Sequence, residues 1–84
     1  MKIKERRDLV EEMARSAHSA WMRAQRLSGV SSRAAPWGEE FMVPFRKLSE
    51  RGREFDRIIM RAILAAFRRK GYCVQKDALA GRKE

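Results

Sequence analysis

The sequence predicts a mainly α fold: two principal helices, at about 9–27 and 50–70, packed together with short extended segments near 41–45 and 72–75. Three observations predict it. Apolar residues recur every three or four positions in both helical windows, the period of an amphipathic helix. The apolar run Phe41-Met-Val-Pro-Phe45 lies between them, and proline biases the residue before it toward extended geometry while donating no backbone hydrogen bond. Gly29, Ser49 and Gly71 stand at the boundaries, where caps of the types these residues provide are expected.

Met1 to Arg7 reads as a short charged arm with one apolar residue, Ile3. Asp8 is placed to cap the first helix, with Glu11 three residues on completing a capping-box pattern. From there Leu9, Val10, Met13, Ala14, Ala17, Trp21, Ala24 and Leu27 form the apolar stripe, and Arg15, Arg23 and Arg26 fall on the solvated side. Ser28 to Gly38 contains glycine, serine and proline with little pattern and reads as a connecting loop. Leu48 closes the apolar run, and Ser49 follows as N-cap of the second helix, with Glu50 favoured there by the helix dipole. Phe55, Ile58, Ile59, Ala62, Ile63, Ala66 and Phe67 are its expected core stripe. Gly52 near its start costs about 1 kcal/mol relative to alanine. Gly71 is expected in the left-handed cap, with Tyr72 against Phe67 as the contact of a Schellman motif. Tyr72 to Gln75 reads as extended, with Cys73-Val74 pairing against Met42-Val43, and 76–84 as a polar, flexible tail.

An 84-residue chain with 44% hydrophobic residues carries one small domain, here 8–75, near the size where burial is barely sufficient for independent folding. A partner or a second copy would help it. The formal net charge of +9 favours a polyanionic partner, either nucleic acid or an acidic protein face. Cys73 is the only cysteine, so an intrachain disulfide and a multi-cysteine metal site are both excluded, which fits a reducing compartment. The charged start lacks the apolar core of a signal peptide, and no later run approaches a membrane span. The expectation is a cytoplasmic protein with no membrane segment.

Val43-Pro44-Phe45, Leu48, Phe55-Asp56-Arg57 and Gly71-Tyr72, preceded by Ala14, His18 and Trp21 on the first helix, resemble in order and spacing the Ry domain. That is the module repeated in ryanodine receptor channels and found alone in bacterial and phage proteins. The resemblance spans about Leu9 to Val74. It implies two principal helices with short strand-like pieces, and tandem copies packed with approximate two-fold symmetry around a cleft. A single-copy relative recreates that pair by homodimerising. The sequence departs from the family at Gly29-Val30, at Ser31-Ser32 and at Glu39-Glu40, where an aromatic pattern and a His-Pro pair are usual, and its loop is shorter. Trp37-Gly38 is the candidate substitute for the missing aromatic.

Two sets of site residues follow. In a cleft-type ligand site, His18, Trp21, Trp37 and Arg57 are the candidates: an indole face stacks a nucleotide-like base and arginines take phosphates. The plainer reading has Trp21 in the core and His18 as its hydrogen-bonding neighbour. In the alternative, nucleic-acid reading, Arg53, Arg57, Arg61 and Arg68 fall within about 80° on the second helix and follow a phosphate backbone. A helix-turn-helix is disfavoured, because the interhelix connection of about 20 residues far exceeds that motif's turn of about 3–4. Asp56 is expected to pair with Arg53 or Arg51, and Arg57 with a loop carbonyl or a carboxylate such as Glu40. One histidine, no nucleophile motif and no Gly-rich phosphate loop argue against an enzyme, a cofactor or a metal. The expected function is a non-enzymatic Ry-type interaction module.

Overall fold

Residues 3–75 are described by the structure, a computed structural model. They form two α-helices, α1 (Ile3–Leu27) and α2 (Glu50–Arg69), joined by a loop that ends in a 3-10 turn, Phe45–Lys47. The two helices pack against each other, which is the mainly α, two-helix class read from the sequence. Met1, Lys2 and the tail expected at 76–84 lie outside the described residues.

The first helix starts earlier than its expected cap. Asp8 is interior to α1, and residues 3–7 are helical rather than a loose arm. Lys4, Glu5, Arg6 and Arg7 are unbranched helix formers with no breaker among them, so the helix runs on through them. It ends as expected: Gly29 takes φ +80°, its amide bonds Arg26 O, and Val30 N donates to Gln25 O at 2.9 Å. These two bonds are those of a Schellman cap. The same pair closes α2, with Gly71 at φ +87°, Gly71 N donating to Arg68 O and Tyr72 N to Phe67 O, both at 3.0 Å.

The N-terminus of α2 is capped from two directions. Ser49 Oγ accepts from Gly52 N at 3.1 Å, as its position predicts. In a capping box the third helical residue reaches back to the cap amide, but here that residue is Gly52. Glu39, ten residues upstream, supplies the carboxylate instead, accepting from Ser49 N at 2.7 Å and from Ser49 Oγ at 2.6 Å. Gly52 leaves it room: a Cβ there would sit 3.3 Å from both Glu39 Oε2 and Phe41 Cε1. Gly52→Val is therefore expected to cost about 1–3 kcal/mol through overpacking. Urea unfolding checks this, and a variant as stable as the parent would mean that the loop yields freely.

The helices meet along i+4 rows. On α1 the buried residues are Val10, Ala14, His18 and Met22; on α2 Gly52 and Leu64 are buried, with Asp56 and Met60 half-buried between them. Such rows are the ridges of one common class of helix packing and run oblique to the axis. The axial stripe expected on α1 is accordingly only half right: Val10 and Ala14 are buried, whereas Ala24 and Leu27 are exposed. On α2 the expected core stripe is mostly on the outside. Phe55, Ile58, Ile59, Ile63 and Phe67 are all exposed, Ile58 by 56%.

Much of the core comes from the connection. Ala14, Phe45 and Leu48 form the buried cluster, with Phe41, Val43 and Met60 against it. Pro44 has φ −55° and ψ 149°, polyproline geometry, as the run predicts. The expected pairing of Met42-Val43 with Cys73-Val74 is not formed, and Phe45 opens the 3-10 turn instead of ending a strand. Pro44 has no amide to donate, and the Val43 carbonyl is already taken by His18. Among the described residues the isolated antiparallel bridge joins Ala34 to Glu40.

Candidate functional site

The loop between the helices is organised by two adjacent carboxylates. The hydrogen bond from Gly38 N to Ala35 O closes a turn with Pro36 in its second position, where its fixed φ suits the turn. Gly38, at φ +91°, lets the chain reverse so that Ala35 N reaches Glu39 O at 2.7 Å. Past the turn, Glu40 accepts from Ser32 Oγ, from Arg33 N at 2.7 Å and from Met42 N at 2.9 Å. Its neighbour Glu39 accepts from Trp37 Nε1 at 2.9 Å as well as from Ser49. These bonds hold both carboxyls below the usual carboxylate range, for Glu39 chiefly through the Ser49 amide and for Glu40 chiefly through the Ser32 hydroxyl.

Rings continue the loop into the helices. Arg51 stacks 3.9 Å above the Trp37 ring, which also lies 5.3 Å from Phe55 and 5.7 Å from Phe41. Phe41 meets Trp21 edge-on at 6.5 Å, and Trp21 lies 5.5 Å from the His18 ring. The candidates His18, Trp21 and Trp37 are thus brought together, Trp37 by way of Phe41. Both indoles are spent on packing, and Trp21 is half-buried rather than central.

His18 is the joint of the fold. It is 3% exposed, with Nε2 2.7 Å from Val43 O and Nδ1 3.5 Å from Asp56 Oδ2. A carbonyl only accepts, so Nε2 donates. Nδ1 then faces a carboxylate, and the arrangement is favourable when one proton lies between the ring and Asp56. Burial pushes the Asp56 carboxyl above its ordinary range, opposed by the charge of His18. Asp56 therefore pairs with His18 and not with Arg53 or Arg51. The constellation ties α1, the Val43-Pro44 run and α2 together in a place closed to a substrate.

Arg57 belongs to a different seam, one helix end away. Its Nε and Nη2 donate to the two oxygens of Glu11 at 2.8 and 2.9 Å, and Nη1 to Glu50 at 2.6 Å. A carboxylate partner was expected, and the carboxylates are Glu11 and Glu50 rather than Glu40, which is occupied in the loop. Glu11 stands ten residues before Trp21, about 15 Å along α1, so Arg57 does not join the aromatic cluster. Hydrogen bonds from Arg57 are the leading reason that Glu11 and Glu50 titrate low, and the same bonds raise Arg57 further above its already basic range. The rest of the proposed nucleic-acid stripe is similarly engaged. Arg61 pairs with Glu54, while Arg53 donates to Leu48 O at 3.1 Å and lies 3.8 Å from Glu50. Among the described residues Arg68 makes no ion pair.

These carboxylates set the acid response. Glu11, Glu39, Glu40 and Glu50 have folded pKa values below their ordinary 4.5, so each contributes stability above that pH that is lost as the pH falls through the folded value. Asp56 has the opposite sign: its pKa is raised above 3.8, and protonating it relieves a cost. The expected result is a urea midpoint that falls on acidification below about pH 4.5, less steeply in Glu40→Gln and more steeply in Asp56→Asn. A midpoint independent of pH in the parent would contradict it.

Between the two helices lies an open groove of about 540 Å³ lined by Arg6, Arg7, Glu11, Glu54, Arg57 and Arg61, among others. Charges of both signs line it, so it selects for neither. Among the described residues no cluster of three or more His, Cys, Asp or Glu could hold a metal, and no helix is long and apolar enough to cross a membrane. The surface feature that sequence reasoning misplaced is the outer face of α2. Phe55, Ile58, Ile59, Ala62, Ile63 and Ala66 span an arc of about 140°, of which only Ala66 is half-buried. A hint was present in the sequence: Gly52, Asp56, Met60 and Leu64 form a second i+4 row able to face Ala14 and His18. Comparison of the chain with protein-family models, with curated proteins and with solved structures gives no match.

Proposed function

We propose that the chain is a non-enzymatic, Ry-type interaction module that binds a protein partner through the apolar face of α2. The observation that carries this reading is the inversion of burial. Among the described residues, nine large hydrophobic side chains are exposed, while the seven buried hydrophobic residues include two alanines. Five of the nine lie on α2, four of them on one arc, and apolar surface gathered in this way marks interaction sites. Covering it is worth about 25 cal/mol per Å², which a domain this small can use. The seating of Phe45 and Leu48 against Ala14 supports the Ry element of the proposal. The nucleotide-type cleft has less support, since Trp21 and Trp37 are engaged within the chain. The nucleic-acid alternative loses Arg53, Arg57 and Arg61 to in-chain contacts.

The test is a display library of amphipathic helical peptides with acidic, neutral and basic flanks, selected against the whole protein. Binders are expected, and Ile59→Glu should abolish their binding while leaving the melting temperature nearly unchanged, because Ile59 is 51% exposed. Binders indifferent to Ile59→Glu, or a variant that unfolds, would overturn the proposal.

A further inference from the structure

The charges around the α2 face are not balanced, and the imbalance says what covers it. All three acidic residues of α2 are committed within the chain: Glu50 to Arg57, Glu54 to Arg61, and Asp56 to His18. They neutralise the cations nearest the α1 seam. What borders the apolar arc is cationic. Arg51 and Arg69 stand at its two ends, and Lys70, the C-cap, falls on the same side of the helix. Among the described residues none of these three has a carboxylate within ion-pair distance. The whole chain carries a formal charge of +9, so a second copy would bring like charge against this border, and like charges across an interface select against a partner.

We infer that the occupant of the α2 face is an acidic amphipathic helix of another protein, its apolar stripe lying on Ile58, Ile59, Ala62 and Ile63 and its carboxylates reaching Arg51, Arg69 and Lys70. This rests on the interaction reading above and adds the partner's chemistry. A helix laid in an apolar groove is a recurrent mode of recognition in which anchors at i, i+3, i+4 and i+7 supply affinity. Ala62, in the middle of the arc, lets such a helix approach closely. The flanking charges then set register and choice of partner.

Two labelled synthetic helices decide the matter. Each is about 18 residues, close to the length of α2, with one shared leucine stripe, flanked by glutamates in one and by lysines in the other. Fluorescence anisotropy with the full chain is expected to give the glutamate peptide at least about tenfold tighter binding at low salt, narrowing at high salt. Arg69→Glu with Lys70→Glu should reverse the preference, and Ile59→Glu should remove both. Equal binding of the two peptides would overturn the acidic assignment and leave the interaction reading standing. Sedimentation showing a dimer that Ile59→Glu converts to monomer would assign the face to a second copy and overturn it too. A single-stranded oligonucleotide that binds the Ile59→Glu variant as well as the parent, and displaces the acidic peptide, would give the cations to nucleic acid with the same consequence. Failure of both peptides without self-association would remove the inference and the reading beneath it together.

Discussion

Phe45→Ala is expected to lose about 3–5 kcal/mol, the range for emptying a buried phenylalanine site. A domain of this length holds about 4–12 kcal/mol in all, so the variant stands near the edge of folding. Phe45 is 4% exposed and forms the buried cluster with Ala14 and Leu48, and its ring lies 6.1 Å from that of His18. Removing it opens a cavity against α1 and loosens the run whose Val43 carbonyl accepts from His18. The informative comparison is Phe67→Ala. The deletion is the same, but Phe67 is 47% exposed, and the expected loss is about 1 kcal/mol or less. Guanidinium or urea unfolding of the two variants measures the difference, and equal losses would show that the two faces of the domain have been assigned the wrong way round.

That contrast is also where reading the sequence reached its limit. The boundaries of α2 were legible because each is set by local chemistry: a serine hydroxyl at Ser49 and a left-handed glycine at Gly71. The start of α1 was not, because Asp8 has the composition of a cap and nothing in Lys4 to Arg7 prevents the helix from passing through it. The choice of face on α2 is a property of pairing. Its helical wheel carries two usable arcs, a broad one of isoleucine and phenylalanine and a narrow one of Gly52, Asp56, Met60 and Leu64. Apolar moment favours the first. Fit favours the second, since Gly52 admits Glu39 and Phe41, and Asp56 answers a buried histidine on the facing row.

The site residues divide in the same way. His18 and Trp21 were recognisable as neighbours because a helix places residues three apart on one side. Their third partner, Phe41, and the link to Trp37 depend on how the loop folds back, which rests on Glu39 and Glu40. Those two carboxylates stand where the Ry resemblance leads one to look for a His-Pro pair. In the structure they organise the loop instead, since Glu39 caps α2 while Glu40 ties Ser32 and Arg33 to Met42. The arginine stripe is legible on the helical wheel, but a wheel does not show that Glu11, 46 residues away in sequence, already occupies Arg57.

Arg57→Met is accordingly expected to lower stability by about 2 kcal/mol, between the 0.2–1 kcal/mol typical of exposed ion pairs and the 3–5 kcal/mol of breaking a buried one. The Arg57 side chain is 16% exposed while Glu11 is 36% exposed, which sets the pair in that middle range. Methionine keeps most of the packing volume, so the loss reports on the guanidinium. Arg57→Lys should recover only part of it, because an ammonium cannot donate side-on to both oxygens of Glu11 while also reaching Glu50. A double-mutant cycle with Glu11→Gln then isolates the inter-helix term, and a coupling indistinguishable from zero would show that the contact contributes no stability. The cycle bears on function as well. If Arg57 holds α1 to α2, its variants weaken any binding only through unfolding, and raising stability with low temperature restores it. Arg69→Glu with Lys70→Glu, by contrast, is expected to change partner preference with the fold intact. An Arg57 variant that is fully folded yet unable to bind would return this arginine to the interaction surface.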